Sequence, residues 1–290
     1  MSAEFEKLHA PLQPLKIEGI EGDVHIQRDD LIHPLVSGNK WRKLQLHLQL
    51  AAQEGKNHLV TFGGAYSNHL LATAAVGAIR GFKTTAFLRA DEPIHNHYLA
   101  AARLFGMQLI PVSREDYRDK RGLFESHFGQ DATAYFIDEG GAGPAAWPGV
   151  ARVVQGLPFA PDYILHASAT ATTAIGLATG IKACGYHTRV LAVAVLNNAE
   201  EQRRLIQEAG FADVVEVLDG YAFGGYAKTT EPLMDFVKYA IAQTGILFDP
   251  VYTGKALWAL RDLKPDGKGV FLHTGGSMGL FSDVFLTRHM

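Results

Sequence analysis

Short runs of consecutive apolar residues alternate along the chain with segments in which apolar residues recur at helical spacing. The runs predict β-strands at residues 58–62, 84–88, 108–112, 134–137, 163–166, 189–195, 213–217 and 270–273. The helical spacing predicts α-helices at residues 68–79, 95–104, 116–128, 173–183, 199–208 and 231–244. Strands that are apolar throughout and are separated by helices indicate an α/β fold with a parallel sheet covered on both faces.

Glycine, alanine and proline cluster in residues 140–150, and this cluster interrupts the series of strands and helices. Such segments are typical of boundaries between compact units. We therefore expect a boundary between two lobes there. The length of 290 residues suits one large two-lobed domain or two domains.

Composition and charge exclude several classes of function. The chain is 47% apolar and 20% charged with a net charge of −3, and it has no block of lysine and arginine. We expect neither a nucleic-acid nor a membrane partner. The single cysteine, Cys184, excludes an intrachain disulfide and a cysteine-based zinc site. Residues 1–7 lack the apolar core of a signal peptide, so a cytoplasmic protein is expected.

The most informative motif is the run of residues 37–44, Ser-Gly-Asn-Lys-Trp-Arg-Lys-Leu, in which Lys40 is the fourth residue. It lies directly before an amphipathic helix. An amine at the start of a helix can capture a carbonyl compound as a Schiff base. The alternative is an ordinary surface lysine, which is what most lysines are.

Two loops that follow predicted strands are suited to binding anions. Residues 63–69, Gly-Gly-Ala-Tyr-Ser-Asn-His, combine two glycines with short polar side chains at a helix start, which suits a carboxylate. Residues 166–173 carry four hydroxyl side chains within 168–173 and precede another helix, which suits a phosphate. The alternative for both loops is helix capping. Capping explains the second loop less well, because one cap needs one hydroxyl.

Two further loops carry polar residues beside glycine. Residues 249–255 form a turn into a helix that contains Tyr252, and residues 273–276 read His-Thr-Gly-Gly after an apolar strand. A single tyrosine in such a turn is more often a packing residue. Neither His69 nor His273 has metal-ligand spacing to another histidine or carboxylate, so no metal site is expected.

Together these motifs resemble those of the fold-type II pyridoxal-phosphate enzymes, and within them the 1-aminocyclopropane-1-carboxylate (ACC) deaminase and D-cysteine desulfhydrase family. The resemblance covers nearly the whole chain and is carried by residues 11–15, 28–30, 38–44, 64–69, 249–255 and 273–276. It implies two open, mostly parallel twisted sheets with helices on both faces, as in tryptophan synthase β. It also implies an active site in the cleft between a larger cofactor-binding lobe, residues 1–45 plus 151–290, and a smaller α/β lobe, residues 46–150.

The resemblance assigns the cofactor, pyridoxal 5′-phosphate, to particular residues. Lys40 would hold it covalently, and Asn68 would bond the phenolate oxygen of its ring. Thr253 and Thr274 would lie near the pyridine nitrogen and the substrate. The phosphate would be held by the loop Ser168, Ala169, Thr170, Ala171, Thr172 and Thr173. Relatives usually have glycines where this loop has Ala169 and Ala171, and alanine is strained by about 1 kcal/mol or more wherever φ is positive.

The resemblance also assigns residues to the substrate. Ser67, with the amides of Asn68 and His69, would receive the substrate carboxylate, and Tyr226 and Tyr252 would line the substrate side. Lys40, Tyr252 and Ser67 would be the catalytic residues. Either Lys40 or Tyr252 would remove the α-proton.

Two positions distinguish the branches of this family. ACC deaminases carry glutamate at the position of Thr253 and leucine at the position of Thr274. A hydroxyl beside the ring nitrogen gives a weaker electron sink than a carboxylate, which suffices when the leaving group is a thiolate. These residues resemble the D-cysteine desulfhydrase branch.

The sequence therefore predicts a pyridoxal-phosphate-dependent lyase that eliminates hydrogen sulfide from a small D-amino acid, D-cysteine. ACC deamination to 2-oxobutyrate is the first alternative. A pyridoxal-phosphate-binding protein without significant catalysis and an α/β domain that binds another anion are the others. The expected partners are a small amino-acid substrate and a second copy of the chain, because family members are commonly homodimers.

Overall fold

The computed structural model describes residues 10–36 and 38–281, which fold into two compact units. The smaller unit contains residues 33–36 and 40–146, and the larger contains residues 10–32, 38–39 and 147–281. The chain crosses from one unit to the other at Ala146, within the segment 140–150 that the sequence marks as a boundary. The unit division differs from the predicted one at the N-terminal side, since Lys40 and the residues up to 45 belong to the smaller unit.

Ten strands occur in the described residues. In chain order they are β1 (Leu12–Pro14), β2 (Asp23–Gln27), β3 (His58–Gly63), β4 (Lys83–Arg89), β5 (Gln108–Val112), β6 (Ala134–Phe136), β7 (Tyr163–Ser168), β8 (Arg189–Ala194), β9 (Val215–Leu218) and β10 (Lys268–Leu272). Nine α-helices accompany them in the same ranges of the chain. They are α1 (Asn39–Gln53), α2 (Asn68–Arg80), α3 (His97–Leu104), α4 (Lys120–Phe128), α5 (Trp147–Gln155), α6 (Thr172–Cys184), α7 (Ala199–Glu208), α8 (Glu231–Thr244) and α9 (Thr253–Leu263).

The smaller unit is built on a four-stranded sheet in the order β5-β4-β3-β6, with every pairing parallel. The central pair places His58 opposite Lys83 and Gly63 opposite Leu88. Because parallel strands end at the same edge of a sheet, the loop after β3 leaves from the edge at which ligands bind in α/β folds. That loop carries Ser67 and Asn68.

The larger unit is built on a six-stranded sheet in the order β1-β2-β10-β7-β8-β9. Its strands are parallel except β1, which pairs antiparallel with β2 at the edge. Two apolar clusters cover its faces. One includes Tyr163, Phe248 and Phe271, and the other includes Ile164, Ile175 and Val270. Consecutive residues of one strand enter opposite clusters, as the period of two requires.

The predicted strands and helices are confirmed with small shifts at their ends, with one exception. Residues 116–128 form a short 3₁₀ turn (Asp116–Arg118) followed by α4 rather than one helix. The break falls at Asp119, whose carboxylate accepts a hydrogen bond from the Gly122 amide at 2.8 Å and so caps α4. In the described part of the chain, no helix is both long and apolar enough to cross a bilayer.

The structure adds β1, β2 and α5, which the apolar pattern did not predict. Helix α5 begins within the segment of glycine, alanine and proline at residues 140–150. It packs closely on α6, because α6 has glycines at positions 176 and 180. A side chain at either position would collide with Val150 or Ala151 of α5. Two glycines of α6 therefore allow the two helices to approach closely.

Candidate active site

Lys40 lies in the first turn of α1, which begins one residue earlier at Asn39. Its ammonium nitrogen, Nζ, donates a hydrogen bond to the Gly140 carbonyl at 3.4 Å. Gly140 has φ 72, a left-handed conformation that favours glycine. Burial lowers the pKa of Lys40 to about 8, and the nearby carboxylate of Glu139 opposes that shift. A lysine with a lowered pKa offers a neutral amine near neutral pH, which is the form that attacks an aldehyde.

The rate at which the cofactor-free protein captures pyridoxal phosphate should follow this titration. We expect the rate to rise about tenfold per pH unit and to level off above about pH 8. Replacing Glu139 by glutamine removes a charge that raises the pKa of Lys40, so the plateau should begin at lower pH. Glu125→Gln, at an exposed position of α4, is the matched control and should leave the profile unchanged. Adduct trapped by borohydride at a series of pH values measures the rate. A rate that keeps rising toward pH 10.5, the ordinary lysine value, would show that Lys40 is not the reacting amine.

Lys43 is a buried lysine, only 2% exposed, one helical turn beyond the partly buried Lys40 on α1. Burial, followed by the charge of Lys40, holds the pKa of Lys43 well below its ordinary value. A buried lysine beside a partly buried one fits a ligand that carries negative charge. Lys43 was not among the predicted site residues; its spacing of three residues places it on the same helix face as Lys40.

Ser67 and Asn68 lie at the start of α2. The Ser67 hydroxyl accepts a hydrogen bond from the Leu70 amide at 3.3 Å, so Ser67 is the N-cap of this helix. Gly63 makes room for it, because a Cβ at that position would lie 2.9 Å from Ser67 Oγ. Ser67 therefore serves as a cap, and its O–H remains a donor. Whether Ser67 also receives a carboxylate stays a prediction.

His69 is buried in the smaller unit with a defined tautomer. The Thr61 hydroxyl donates to the Ile137 carbonyl at 2.9 Å, so it accepts from His69 Nε2 at 2.7 Å. Nδ1 is then the unprotonated nitrogen of the ring. Burial, followed by the charges of Lys40, Lys43 and His47, holds the pKa of His69 well below its ordinary value. His69 is a neutral side chain packed among basic groups.

Residues 168–173 of the larger unit, the loop with four hydroxyl side chains, divide into two parts. The Ser168 hydroxyl donates to Gln202 Oε1 at 2.6 Å inside the fold, so it is engaged with the protein. Thr172 and Thr173 lie in the first turn of α6, and no side chain of the described residues caps that helix at Ala171. The amides of an uncapped helix start, beside threonine hydroxyls, are suited to a phosphate.

The two alanines of this loop have different conformations. Ala171 is left-handed, with φ 56, whereas Ala169 is not among the residues with positive φ. Left-handed alanine costs about 1–2 kcal/mol relative to the right-handed form. Alanine in place of the glycine of relatives is therefore unstrained at position 169 and strained at position 171.

Tyr252 and Thr253 are held at the start of α9 by a buried carboxylate, that of Asp249. Asp249 Oδ1 accepts from the Tyr252 amide at 2.8 Å, and Oδ2 accepts from the Thr253 amide at 3.0 Å and from its hydroxyl at 2.9 Å. Burial raises the pKa of Asp249, and these hydrogen bonds oppose the shift. Asp249 was not among the predicted site residues, although an aspartate just before a helix is a common capping residue.

Gly38 lies against the backbone of Thr274. The motif at residues 38–39 is therefore in contact with the motif at residues 273–276. Gly38 has φ 64, and a Cβ on it would lie 1.9 Å from the Thr274 carbonyl oxygen. The Asn39 amide donates to the same oxygen at 3.3 Å, and the Asn39 side chain donates to Thr173 Oγ1 at 3.4 Å. These contacts bring residues 38–39, 173 and 274 together. Tyr226, in the loop between β9 and α8, is 49% exposed.

Gly38→Ala should lower the free energy of unfolding by about 3 kcal/mol or more, because the new methyl group meets a carbonyl oxygen that cannot move freely. Gly22→Ala is the matched control. Gly22 also has positive φ, 91, but nothing lies within 4 Å of its Cβ position. It should cost only the left-handed penalty of about 1–2 kcal/mol. Urea unfolding of the two variants measures the difference, and equal losses would contradict the described contact.

The chain belongs to the pyridoxal-phosphate dependent enzyme family, whose model matches residues 7–275. Members of this family use pyridoxal phosphate, and the chain is a pyridoxal-phosphate-dependent lyase. The predicted family, fold class, cofactor and enzyme class are confirmed.

The relatives of this chain carry the names of two different enzyme activities. A Thermotoga maritima protein provisionally named as a 1-aminocyclopropane-1-carboxylate deaminase is 32% identical, with 90% of each chain covered. A Salmonella typhimurium D-cysteine desulfhydrase is 29% identical, with 96% of this chain and 95% of the relative covered. The crystal structure of an ACC deaminase homologue matches with a TM-score of 0.82 at 29% identity, covering 94% of this chain and 90% of that one.

Each unit, taken by itself, carries residues that suit a part of the cofactor. The smaller unit supplies a partly buried amine of lowered pKa, Lys40, beside the buried Lys43, which suits an aldehyde that carries negative charge. The larger unit supplies the uncapped start of α6, which suits a phosphate. Lys40 of the smaller unit could therefore hold the aldehyde of pyridoxal phosphate, and residues 168–173 of the larger unit suit its phosphate. The role of Asn68 stays a prediction.

Proposed function

We propose that this enzyme eliminates hydrogen sulfide from D-cysteine, with water as the second reactant and pyruvate, ammonia and hydrogen sulfide as products. The observation that carries the proposal is the pair of threonines, Thr253 and Thr274, at positions where the ACC deaminases that the chain resembles carry glutamate and leucine. The nearby carboxylate of Asp249 accepts hydrogen bonds on both oxygens from the start of α9, so it is engaged there. A hydroxyl in place of a carboxylate favours a reaction with a good leaving group.

Bound pyridoxal phosphate supplies an electron sink for the carbanion formed at the α-carbon. Lys40 holds the cofactor and, with its pKa near 8, can accept the α-proton near neutral pH. Tyr252, fixed through its amide by Asp249, faces the substrate and transfers a proton to or from it. Ser67 and the first amides of α2 bind the substrate carboxylate, and the uncapped turn of α6 binds the phosphate.

ACC deamination is the second candidate, because the Thermotoga maritima relative carries that name. It requires opening of a cyclopropane ring, in which a carbon rather than a thiolate leaves. The same two threonines argue against it, since a weaker sink stabilises the carbanion less.

A product assay separates the candidates. The purified enzyme is given D-cysteine, L-cysteine, D-serine or ACC in turn, and pyruvate, sulfide and 2-oxobutyrate are measured separately. Pyruvate and sulfide in equal amounts from D-cysteine, at the highest kcat/KM of the panel, is the expected result. Release of 2-oxobutyrate from ACC as the main activity would replace the proposal with the second candidate. A coloured protein with no turnover of any substrate would indicate cofactor binding without catalysis.

A further inference from the structure

Lys255 is a fully buried lysine of α9 that the proposed reaction does not use. Its ammonium donates to three main-chain carbonyls: Ala222 at 2.7 Å, Gly225 at 2.9 Å and Val195 at 3.3 Å. Val195 directly follows β8, and the other two lie in the loop between β9 and α8. One side chain therefore links this loop to the end of β8, an interior strand of the larger sheet.

That loop has an unusual backbone. Phe223, Gly224, Gly225 and Ala227 all have positive φ, of 49, 92, 112 and 53. For a residue other than glycine, the left-handed conformation costs about 1–2 kcal/mol and persists where surrounding contacts hold it. The two carbonyl contacts of Lys255 lie at Ala222 and Gly225, within this strained stretch. Removing the ammonium removes two of the contacts that hold this stretch.

Tyr252, three residues before Lys255, is the N-cap of α9, and its amide donates to the buried Asp249 carboxylate. Tyr226 directly follows Gly225 in the loop. Tyr252, which the proposed function places at the substrate, and Tyr226, which the family resemblance places there, thus both lie at or next to a residue that bonds to a buried charged group near the start of α9. The charges of Asp249 and Lys255 have opposite sign, and Asp249 raises the pKa of Lys255 against the lowering effect of burial.

We propose that Lys255 is a positioning residue: its ammonium occupies a cation-sized site lined by three carbonyl oxygens and fixes the loop that carries Tyr226 relative to Tyr252. The assignment of Tyr252 to the substrate rests on the proposed function and that of Tyr226 on the family resemblance, whereas the loop contact rests on neither. Burial lowers the pKa of Lys255 to about 8, so the ammonium is the main form at neutral pH. An ammonium or potassium ion has the size and charge to replace it.

Two variants of the enzyme separate charge from volume. Lys255→Met keeps most of the side-chain volume and removes the charge, whereas Lys255→Ala leaves a hole beside the three carbonyls. Misplaced substrate groups can cost on the order of 10²-fold, so we expect kcat/KM of both to fall roughly 10- to 100-fold, mainly through KM. Ammonium or potassium chloride should restore more than half of the loss in Lys255→Ala and none in Lys255→Met. Tetramethylammonium chloride at equal ionic strength should restore neither.

A second measurement follows the loop without turnover. Trp258, one turn beyond Lys255, packs edge-on against Phe223 with ring centroids 5.7 Å apart. We expect both variants to change the Trp258 emission, and ammonium to reverse the change in Lys255→Ala alone. A Trp258→Phe protein identifies the part of the emission that belongs to this residue.

The outcomes are distinguishable. If the enzyme proves inactive on every substrate, the proposed function fails, and the fluorescence measurement still tests Lys255. The proposal is overturned if Lys255→Met shows wild-type KM and wild-type Trp258 emission. It is also overturned if ammonium restores Lys255→Met as well as Lys255→Ala, because the effect would then arise elsewhere. Should Lys255→Ala fail to fold, the methionine variant alone decides.

Discussion

Replacement of Lys40 by alanine is expected to reduce turnover to background, a loss of at least about 10⁴-fold in kcat. The variant loses the amine that holds the cofactor and also a base, and a positioned base alone is worth about 10²–10⁴-fold. It should also lose the absorption in the violet to near-ultraviolet that a lysine–cofactor linkage gives. Product assays and absorption spectra of the purified variant measure both effects.

Lys83→Ala is the matched control, because Lys83 is an exposed lysine of β4 in the same unit. It should keep both the activity and the spectrum. A Lys40→Ala protein with an unchanged lysine adduct trapped by borohydride would refute the role given to Lys40.

Tyr252→Phe should lower kcat by about 10²–10⁴-fold, the range for loss of a positioned acid or base, and should not abolish turnover. The substitution removes only a hydroxyl. The Asp249 contact that places residue 252 is made to the main-chain amide, so it remains. KM should change little if the hydroxyl acts mainly in proton transfer. Steady-state kinetics with D-cysteine separates kcat from KM.

Tyr239→Phe tests whether any tyrosine hydroxyl matters equally. Tyr239 lies on α8, is 41% exposed and has Glu18 as a surface partner. We expect wild-type kinetics from it. A Tyr252→Phe protein within twofold of the wild type would leave Tyr252 as a packing residue, the alternative that its turn position already suggested.

Much of the fold follows from the sequence because buried parallel strands are apolar throughout. Strand β5 and helices α7 and α8 have the predicted bounds. Helices α2, α6 and α8 end at left-handed glycines, Gly81, Gly185 and Gly245, which are the usual stop signals.

The errors have identifiable causes. Helix α5 was missed because Pro148, Gly149 and the preceding glycines are helix-breaking by propensity, although proline is tolerated in a first helical turn. Its helical form comes from close packing on α6, a tertiary contact that no local pattern shows. Strand β2 has only five residues, with exposed or half-buried positions between buried ones. So short an alternation was not enough to predict a strand.

Only those residues of the candidate site that lie in recognisable sequence motifs could be predicted. Lys40, Ser67 and Asn68 lie in glycine-flanked loops at helix starts, so the sequence points to them. Lys43 and Lys255 could not be distinguished from surface lysines, because burial depends on the folded chain. The conformation of Ala171 was left open for the same reason, since φ is set by the loop as a whole.

The central claim is that Lys40, and not its buried neighbour Lys43, is the amine joined to pyridoxal phosphate. Borohydride reduction of the purified wild-type enzyme, followed by peptide mapping with mass spectrometry, tests it directly. The predicted result is a single phosphopyridoxyl group on Lys40, with the tryptic cleavage after residue 40 lost and that after residue 43 retained. A reduced cofactor found on Lys43 or on any other lysine would contradict the account.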